Sequence, residues 1–402
     1  MNRSTAIVVA LCIAVAAGTA QADVVSDWNQ AADDVMNAAK AVGAPRARAY
    51  AMVHVAMSDA INSVQAKYTR YVAGVSLMPQ ASPEVAAAAA ARQILTQLFP
   101  KGKAIVDEAY AASIKGVPEG PAKSEGIALG ERIAAAIQTD RASDGTTVPD
   151  TYRPLTSPGV WVPTTLPSTP QYAYAKPWVM KSADQFRPGP PPALSSALYA
   201  RDYNETKTLG GATSIARTLQ QTEAVRFWSG TANLFAGLQA AARQLAAAKG
   251  LGLAENARLF ALLNMGIANS VIADWDAKFA YNFWRPITGI RNGDMDSNDA
   301  TERDPSWTPF EATPIHPEYP SQAAIQAGAA LGILEAVFGP NPAEPVSATD
   351  VADPKRKRQF RNVAEMLEEH KDVRIWGGIH FRNSLHVGFN MGRKIAAYLV
   401  DN

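Results

Sequence analysis

The chain has 402 residues, with 38 Lys and Arg against 37 Asp and Glu, so its formal net charge is +1. This balance argues against a nucleic-acid-binding protein and against a protein that binds anionic membranes, because both need a basic surface. The single cysteine, Cys12, lies near the N-terminus. We therefore expect neither disulfides nor thiol catalysis in the rest of the chain.

The N-terminal segment has the pattern of an export signal. Arg3 supplies a positive charge, residues 6–18 are apolar or small, and Ala20-Gln21-Ala22 provides a small-x-small cleavage site. We predict a signal peptide over residues 1–22 and a periplasmic or secreted mature protein. No later segment is apolar over a length that spans a bilayer, so no membrane span is expected after cleavage.

Most of the remaining chain is predicted to be helical, because alanine and aliphatic residues recur at three- and four-residue spacing. By contrast, residues 144–192 and 293–320 are rich in turn-forming residues and are predicted to be irregular. The basic run at 355–358 is interpreted as a solvated helix face. The fold prediction is an all-α multi-helix bundle in a single domain over 23–402, with the active-site bundle at approximately 213–402. The predicted helices cover 31–42, 47–64, 83–99, 126–139, segments from 195 and 213, 254–285, 321–338, 358–370 and 384–399.

Two cations of the long predicted helix form the first part of a candidate oxyanion site. Lys278 and Arg285 are seven residues apart. Seven residues of helix turn through roughly 700°, so both side chains would leave the same face. Aromatic neighbours predict a partly buried face, where a cation needs a counter-charge from a carboxylate or a bound anion.

Two further segments carry matching groups. Ser321 precedes an alanine-rich helix and is predicted to be its N-cap, so that the free amides of the first turn face an anion. Near the C-terminus, Gly378 is flanked by Arg374 and His380; it permits close backbone approach and is predicted to be one of the oxyanion-binding residues. His380 is the strongest nucleophile or ligand candidate among the five histidines. Of the others, His54 is expected in the core and His370 and His386 on helix surfaces.

These segments resemble the soluble bacterial branch of the vanadium-dependent haloperoxidase and type 2 phosphatidic acid phosphatase superfamily. The resemblance implies the all-α fold of that superfamily. It also implies that Lys278, Arg285, Ser321 and Arg374 hold the oxygens of vanadate or phosphate. His380 would be the apical vanadate ligand or, in a phosphatase, the nucleophile that forms a phosphohistidine. The matching residues lie at 47–60, 185–188, 283–287, 316–321 and 377–382.

Two other residues match the halide pocket of the peroxidases. Trp275 lies three residues before Lys278, and His316 opens the second motif. The resemblance implies that both line the halide pocket, and a histidine at position 316 is similar to the bromoperoxidase type.

The chain departs from the family at the proton-transfer residues. The second motif of the family is Pro-Ser-Gly-His, whereas Gln322 and Ala323 follow Ser321 here. The missing histidine is the general acid and base, whose help is typically worth roughly 10²–10⁴ in rate. His316 and Glu318 are possible substitutes as acid, and the Gln322 amide is a possible donor to the anion. In the third motif, Val373 replaces a serine and Ser384 replaces the aspartate that orients the nucleophilic histidine.

Three hypotheses follow. The leading one is an exported haloperoxidase that binds vanadate and uses peroxide to oxidise a halide, most plausibly bromide, with its activity impaired by Ala323. The first alternative is an acid phosphatase that cleaves phosphomonoesters through His380. The second alternative is an oxyanion-binding pseudoenzyme without appreciable turnover.

Overall fold

The computed structural model describes residues 23–163, 165–229 and 232–402, which form a bundle of helices. The predicted signal peptide at 1–22 lies outside the described residues. Small residues let the N-terminal helices pack closely, since a Cβ on Gly130 would lie 2.2 Å from the carbonyl oxygen of Ala86. The helices of this part are α1 (Val24–Ala38), α2 (Gly43–Gln65), α3 (Pro83–Leu98), α4 (Lys103–Ile114) and α5 (Pro121–Asp140).

The C-terminal part is also helical, which confirms the all-α prediction. Two short strands, β1 (Val346–Thr349) and β2 (Lys357–Phe360), pair in antiparallel orientation with Val346 opposite Phe360. Within the described residues, no helix is both long and apolar enough to cross a membrane. The helices are α6 (Ala197–Gly210), α7 (Leu219–Trp228), α8 (Ala232–Lys249), α9 (Leu253–Tyr281), α10 (Pro286–Arg291), α11 (Gln322–Phe338), α12 (Val363–Trp376) and α13 (Arg382–Asp401).

One hydrophobic cluster extends through the bundle from Val25 in α1 to Leu399 in α13. Helix α9 is buried over most of its length and lies at the centre of this cluster. Helices α11 and α13 approach each other through glycines. A Cβ on Gly388 would lie 2.8 Å from the Ser321 carbonyl oxygen, and one on Gly392 would lie 2.0 Å from that of Ile325. This close packing holds Ser321 against the first turns of α13.

The long predicted helix over 254–285 is interrupted, so the prediction of a shared helix face for Lys278 and Arg285 is wrong. Helix α9 ends at Tyr281, and Asn282 adopts a left-handed conformation with φ 48°. Asparagine tolerates that conformation better than most residues. Pro286 starts α10 instead of ending α9, because proline suits a helix's first turn. Arg285 is the extended residue before α10.

Three further sequence interpretations can be compared with the structure. The basic run at 355–358 is largely exposed, as expected, but it leads into β2 and not into a helix. His54 is buried, as predicted. His370 is also buried, 1% exposed, and packs edge-on against Trp228, so its prediction as a surface residue is wrong. The local pattern of α12 shows which residues are helical but not which neighbouring helices cover them.

Candidate active site

Arg285 is the centre of the candidate site. Its guanidinium is 1% exposed and bridges two imidazoles. Nη1 lies 3.1 Å from Nε2 of His380, and Nη2 lies 3.1 Å from Nδ1 of His316. Nε and Nη1 also donate to the carbonyl oxygens of His316 and Ile379, at 2.9 and 2.7 Å. These contacts bring the first, second and third sequence motifs together, as the sequence analysis expected.

The contacts of Arg285 determine the tautomers of both histidines. A guanidinium can only donate hydrogen bonds, so the facing ring nitrogens must accept. His380 therefore carries its proton on Nδ1 and keeps a lone pair on Nε2. Nδ1 of His316 also lies 3.3 Å from the Pro317 carbonyl oxygen, but the shorter contact with Arg285 favours a lone pair on Nδ1 and the proton on Nε2.

The other side of His380 faces Glu318. The His380 Nδ1 atom lies 2.8 Å from Glu318 Oε1, which also accepts from the Phe381 amide at 2.9 Å. Ser384 Oγ lies 2.7 Å from the same carboxylate oxygen and 3.3 Å from Nδ1. Glu318 is thus a partner of the imidazole and is not placed as a separate acid.

Lys278 is completely buried, and its hydrogen-bonding capacity is already used. The ammonium donates to the carbonyl oxygens of Pro317 and Glu318 at 2.9 and 3.0 Å, and also to that of Pro320. An ammonium has three donors, so all three hold the second motif in place. Lys278 therefore supplies positive charge to the site, while its predicted direct hydrogen bond to an anion has no donor left.

Several other buried donors remain available. The Ser321 hydroxyl forms no capping hydrogen bond, although Ser321 is the N-cap of α11 as predicted. The Gln322 Nε2 and Arg374 Nε atoms are likewise buried without a hydrogen-bond partner among the described residues. Arg374 donates from Nη2 to the Trp228 carbonyl oxygen at 2.9 Å, and its Nη1 lies 3.9 Å from Glu311. Buried donors that lack partners are costly, so this set suits a ligand rich in acceptor oxygens.

Gly378 has a packing role. Its φ is 78°, and a Cβ there would lie 2.4 Å from the Gly210 carbonyl oxygen at the end of α6. Only glycine fits this left-handed and crowded position. The contact holds the loop between α12 and α13, which carries His380, against α6. Its oxyanion-binding role stays a prediction.

Trp275 and His316 contact each other, as the halide-pocket prediction requires. Their ring centroids are 5.1 Å apart. The indole Nε1 donates to the Ser168 carbonyl oxygen at 3.1 Å, so part of the long irregular segment at 144–192 packs against this side of the site. That segment is thus connected to the candidate pocket through Trp275.

Burial and positive charge shape the titration of the site. Burial, followed by the charges of Arg285 and Lys278, holds the pKa of His380 well below its usual range. The same effects lower the pKa of His316. Burial also raises the pKa of Glu318, against the opposing influence of Arg285. Both imidazoles are therefore neutral at neutral pH, and the Nε2 lone pair of His380, which accepts from Arg285 here, can bind vanadium only when that hydrogen bond is given up.

One buried acid of the site was missed by the sequence reasoning. Asp274 is 0% exposed, and its Oδ1 lies 3.8 Å from the Lys278 ammonium. Burial raises its pKa to about 7, although Lys278 and Arg285 oppose this shift. Its position four residues before Lys278 on a helix was the available signal, since such residues lie on one face.

The residues fit a vanadate or phosphate ion, judged by the donors that they present. His380 offers a nitrogen lone pair, and Arg374, Ser321 and Gln322 offer buried donors without partners. Helix α11 begins at Gln322, so its first-turn amides add a positive helix end. In the described part of the chain, no group of three or more His, Cys, Asp or Glu side chains is arranged to hold a metal cation. This donor set therefore favours an anion.

A family model and one known protein each match part of this chain. The family model described as the VCPO second helical-bundle domain matches residues 258–402, which include every candidate site residue. Vanadium chloroperoxidase from Curvularia inaequalis is 30% identical over 95 residues. That match covers 21% of this chain and only 15% of the length of the chloroperoxidase.

Solved structures share the fold over almost the whole chain. The first bacterial vanadium-dependent iodoperoxidase has a TM-score of 0.79 at 23% identity, over 94% of this chain and 95% of that one. An apo-type bacterial vanadium-dependent chloroperoxidase has a TM-score of 0.73 at 16% identity, over 90% and 94% of the two chains. Residues 258–402 thus match the VCPO second helical-bundle domain, and the chain shares the fold of the bacterial vanadium-dependent haloperoxidases.

Proposed function

We propose that this protein is an exported enzyme that binds vanadate at His380 and uses peroxide to oxidise a halide. The observation that carries the proposal is the pair of contacts on His380. Arg285 faces Nε2 at 3.1 Å and Glu318 faces Nδ1 at 2.8 Å, so a neutral imidazole presents a lone pair beside a buried cation. Neutral imidazole is a common metal ligand, and its second nitrogen usually donates to a carboxylate or carbonyl oxygen.

The charges around His380 suit an oxyanion. Arg285, Arg374 and Lys278 are buried side chains, the first and third from one motif and Arg374 from another. A bound oxyanion would receive hydrogen bonds from Arg374, Ser321 and Gln322, while Lys278 would act through its charge. Bound vanadate supplies the Lewis acidity that polarises peroxide for oxygen transfer to a halide.

The absence of a histidine at position 323 leaves vanadate binding possible but removes the general acid and base that the family uses, whichever reaction follows. Ester cleavage at neutral pH needs a group that protonates the leaving oxygen, and Ala323 has no such group. Vanadate binding at His380 needs only the lone pair and the donors already present. His316 is the remaining imidazole near the site, and because its pKa is lowered it stays neutral, so we assign it a hydrogen bond from Nε2–H to the bound group. Together with Trp275 it would also line the halide side.

The test is an assay of purified mature protein with and without vanadate. Peroxide-dependent bromination that needs added vanadate would support the proposal, with chloride and iodide compared in parallel. The activity should disappear in His380→Ala and persist in the matched control His386→Ala, since His386 is exposed on α13, six residues after His380. Phosphomonoester cleavage that is inhibited by vanadate would indicate an acid phosphatase instead. Tight vanadate binding in calorimetry without turnover of either kind would indicate a binding protein.

A further inference from the structure

The carboxylate partner of the His380 imidazole is Glu318, which belongs to the second motif and not to the segment that carries His380. One oxygen, Oε1, contacts His380 Nδ1, the Phe381 amide and the Ser384 hydroxyl, all between 2.7 and 2.9 Å. Glu318 is 0% exposed and His380 is 3% exposed, so water does not compete with these contacts. The two residues are 62 positions apart in the chain.

Ser384 alone cannot do what this carboxylate does. A hydroxyl has no charge with which to stabilise an imidazole that gains positive character when Nε2 binds an electrophile. Its position one helical turn after His380 places it 3.3 Å from Nδ1, a longer contact than that of Glu318. Ser384 instead lies beside the carboxylate oxygen, where its hydroxyl helps to hold Oε1 in front of Nδ1.

The approach of Glu318 is supported on both sides. The Lys278 ammonium binds the main-chain carbonyl of Glu318 at 3.0 Å, and the Glu318 amide donates to the Phe283 carbonyl oxygen at 2.9 Å. The backbone of residue 318 is therefore fixed to the end of α9 and to the segment before α10. A side chain anchored in this way loses little further freedom when it orients an imidazole.

We infer that Glu318 is the positioning residue of His380: its carboxylate holds Nδ1–H, directs the Nε2 lone pair into the oxyanion site and balances the charge that develops on the ring. The carboxylate that the family places four residues after the histidine has moved to the second motif, and Ser384 remains as its hydrogen-bonding support. The inference rests on the proposed function for its consequence, which is tighter vanadate binding, but not for the hydrogen bond itself.

The experiment removes the carboxylate charge at position 318 and then introduces one at position 384. Glu318→Gln keeps an oxygen in reach of Nδ1 but removes the charge, so vanadate affinity measured by calorimetry should fall about 10- to 100-fold. Ser384→Asp introduced into the Glu318→Gln protein should recover most of that loss. The control is Glu335→Gln, which removes a carboxylate paired with Arg393 at the other end of α11 and should leave affinity unchanged.

A second measurement uses the protein without vanadate. In ¹⁵N-histidine NMR, the Nδ1 proton of His380 should resonate less far downfield in Glu318→Gln, because its hydrogen bond loses a charged acceptor. Wild-type affinity and an unshifted Nδ1 proton in that variant would overturn the inference. If Glu318→Gln does not fold, the double variant retains one carboxylate and decides the question by its affinity. If the wild-type protein binds no vanadate, the proposed function fails while the Nδ1 proton still tests Glu318.

Discussion

The Nη1 atom of Arg285 lies 3.1 Å from Nε2 of His380, and this contact decides which nitrogen of the ring carries the proton. The second terminal nitrogen of the same guanidinium makes an equal contact with Nδ1 of His316. One arginine thus gives the two histidines opposite tautomers. A ligand-binding lone pair and a proton-bearing nitrogen are prepared together in one site.

Arg285→Lys should show whether the planar guanidinium contacts or only the positive charge prepares the site. An ammonium is a single point charge and cannot reproduce the planar contacts to His316 and His380. We expect vanadate affinity to fall about 10- to 100-fold, measured by calorimetry. The matched control is Arg393→Lys, whose side chain pairs with Glu335 away from the site. Unchanged affinity in Arg285→Lys would show that charge alone is sufficient.

Ala323→His should increase turnover. Residue 323 lies in the first turn of α11, next to Gln322 and Ser321, where the family has its general acid and base. We expect a gain of roughly 10²–10⁴ in the rate of the reaction that the wild-type protein catalyses, read from initial rates in the bromination and phosphatase assays. Ala336→His, exposed near the end of the same helix, is the control. No gain in Ala323→His would indicate that proton transfer from this position does not limit the rate.

Lys278→Met should mainly lower the free energy of unfolding, with a smaller effect on the geometry of the site. It removes three hydrogen bonds to buried carbonyls and leaves Asp274 without its cation. Breaking a buried pair from one side typically costs about 3–5 kcal/mol, which denaturant unfolding would measure. Lys103→Met, which breaks an exposed pair with Asp107, should cost less than about 1 kcal/mol.

The companion variant of that experiment is Asp274→Asn in the Lys278→Met protein. Because it removes the unpaired buried carboxyl, it should recover part of the lost unfolding free energy. If the double variant is as unstable as the sum of the two single variants, Asp274 and Lys278 are not coupled.

His54→Gln should make the protein less sensitive to acid. His54 is buried and accepts from Asn29 at 2.9 Å, and burial lowers its pKa to about 3. In the unfolded chain, His54 binds a proton near pH 6.5, whereas in the folded protein it stays neutral down to about pH 3. The free energy of unfolding therefore decreases as pH falls from 6.5 towards 3. The cost is about 2 kcal/mol at pH 5.

The measurement is the free energy of unfolding of wild-type and His54→Gln protein at pH 7 and pH 5. Glutamine keeps an acceptor for Asn29 but does not titrate, so the variant should lose less stability than the wild type over this interval. His386→Gln, at an exposed position, should change the pH dependence much less. Parallel curves for His54→Gln and wild type would mean that His54 is already protonated, or is exposed, in the folded protein.

The helices were predictable because their signal is local. Alanine and aliphatic spacing located α2, α3, α5 and α11 to within a few residues, and the segment 144–192 proved irregular apart from the 3₁₀ turn Pro170–Tyr174 in its described part. One error had a local cause, and the other depended on a contact between residues far apart in the sequence. The break between α9 and α10 depends on Asn282 and Pro286, and the burial of His370 depends on Trp228 from another helix.

The sequence by itself determined which residue types assemble at the site: two arginines, a lysine, a serine and a histidine, in motifs with a recognisable order. Only the tertiary structure decided how each is used. Lys278 holds the second motif, Gly378 allows α6 to approach, and Glu318 orients His380. The physical reason is that a hydrogen-bond partner is chosen by distance and direction. Those depend on how chain segments such as residues 318 and 380 meet in space, which no local pattern records.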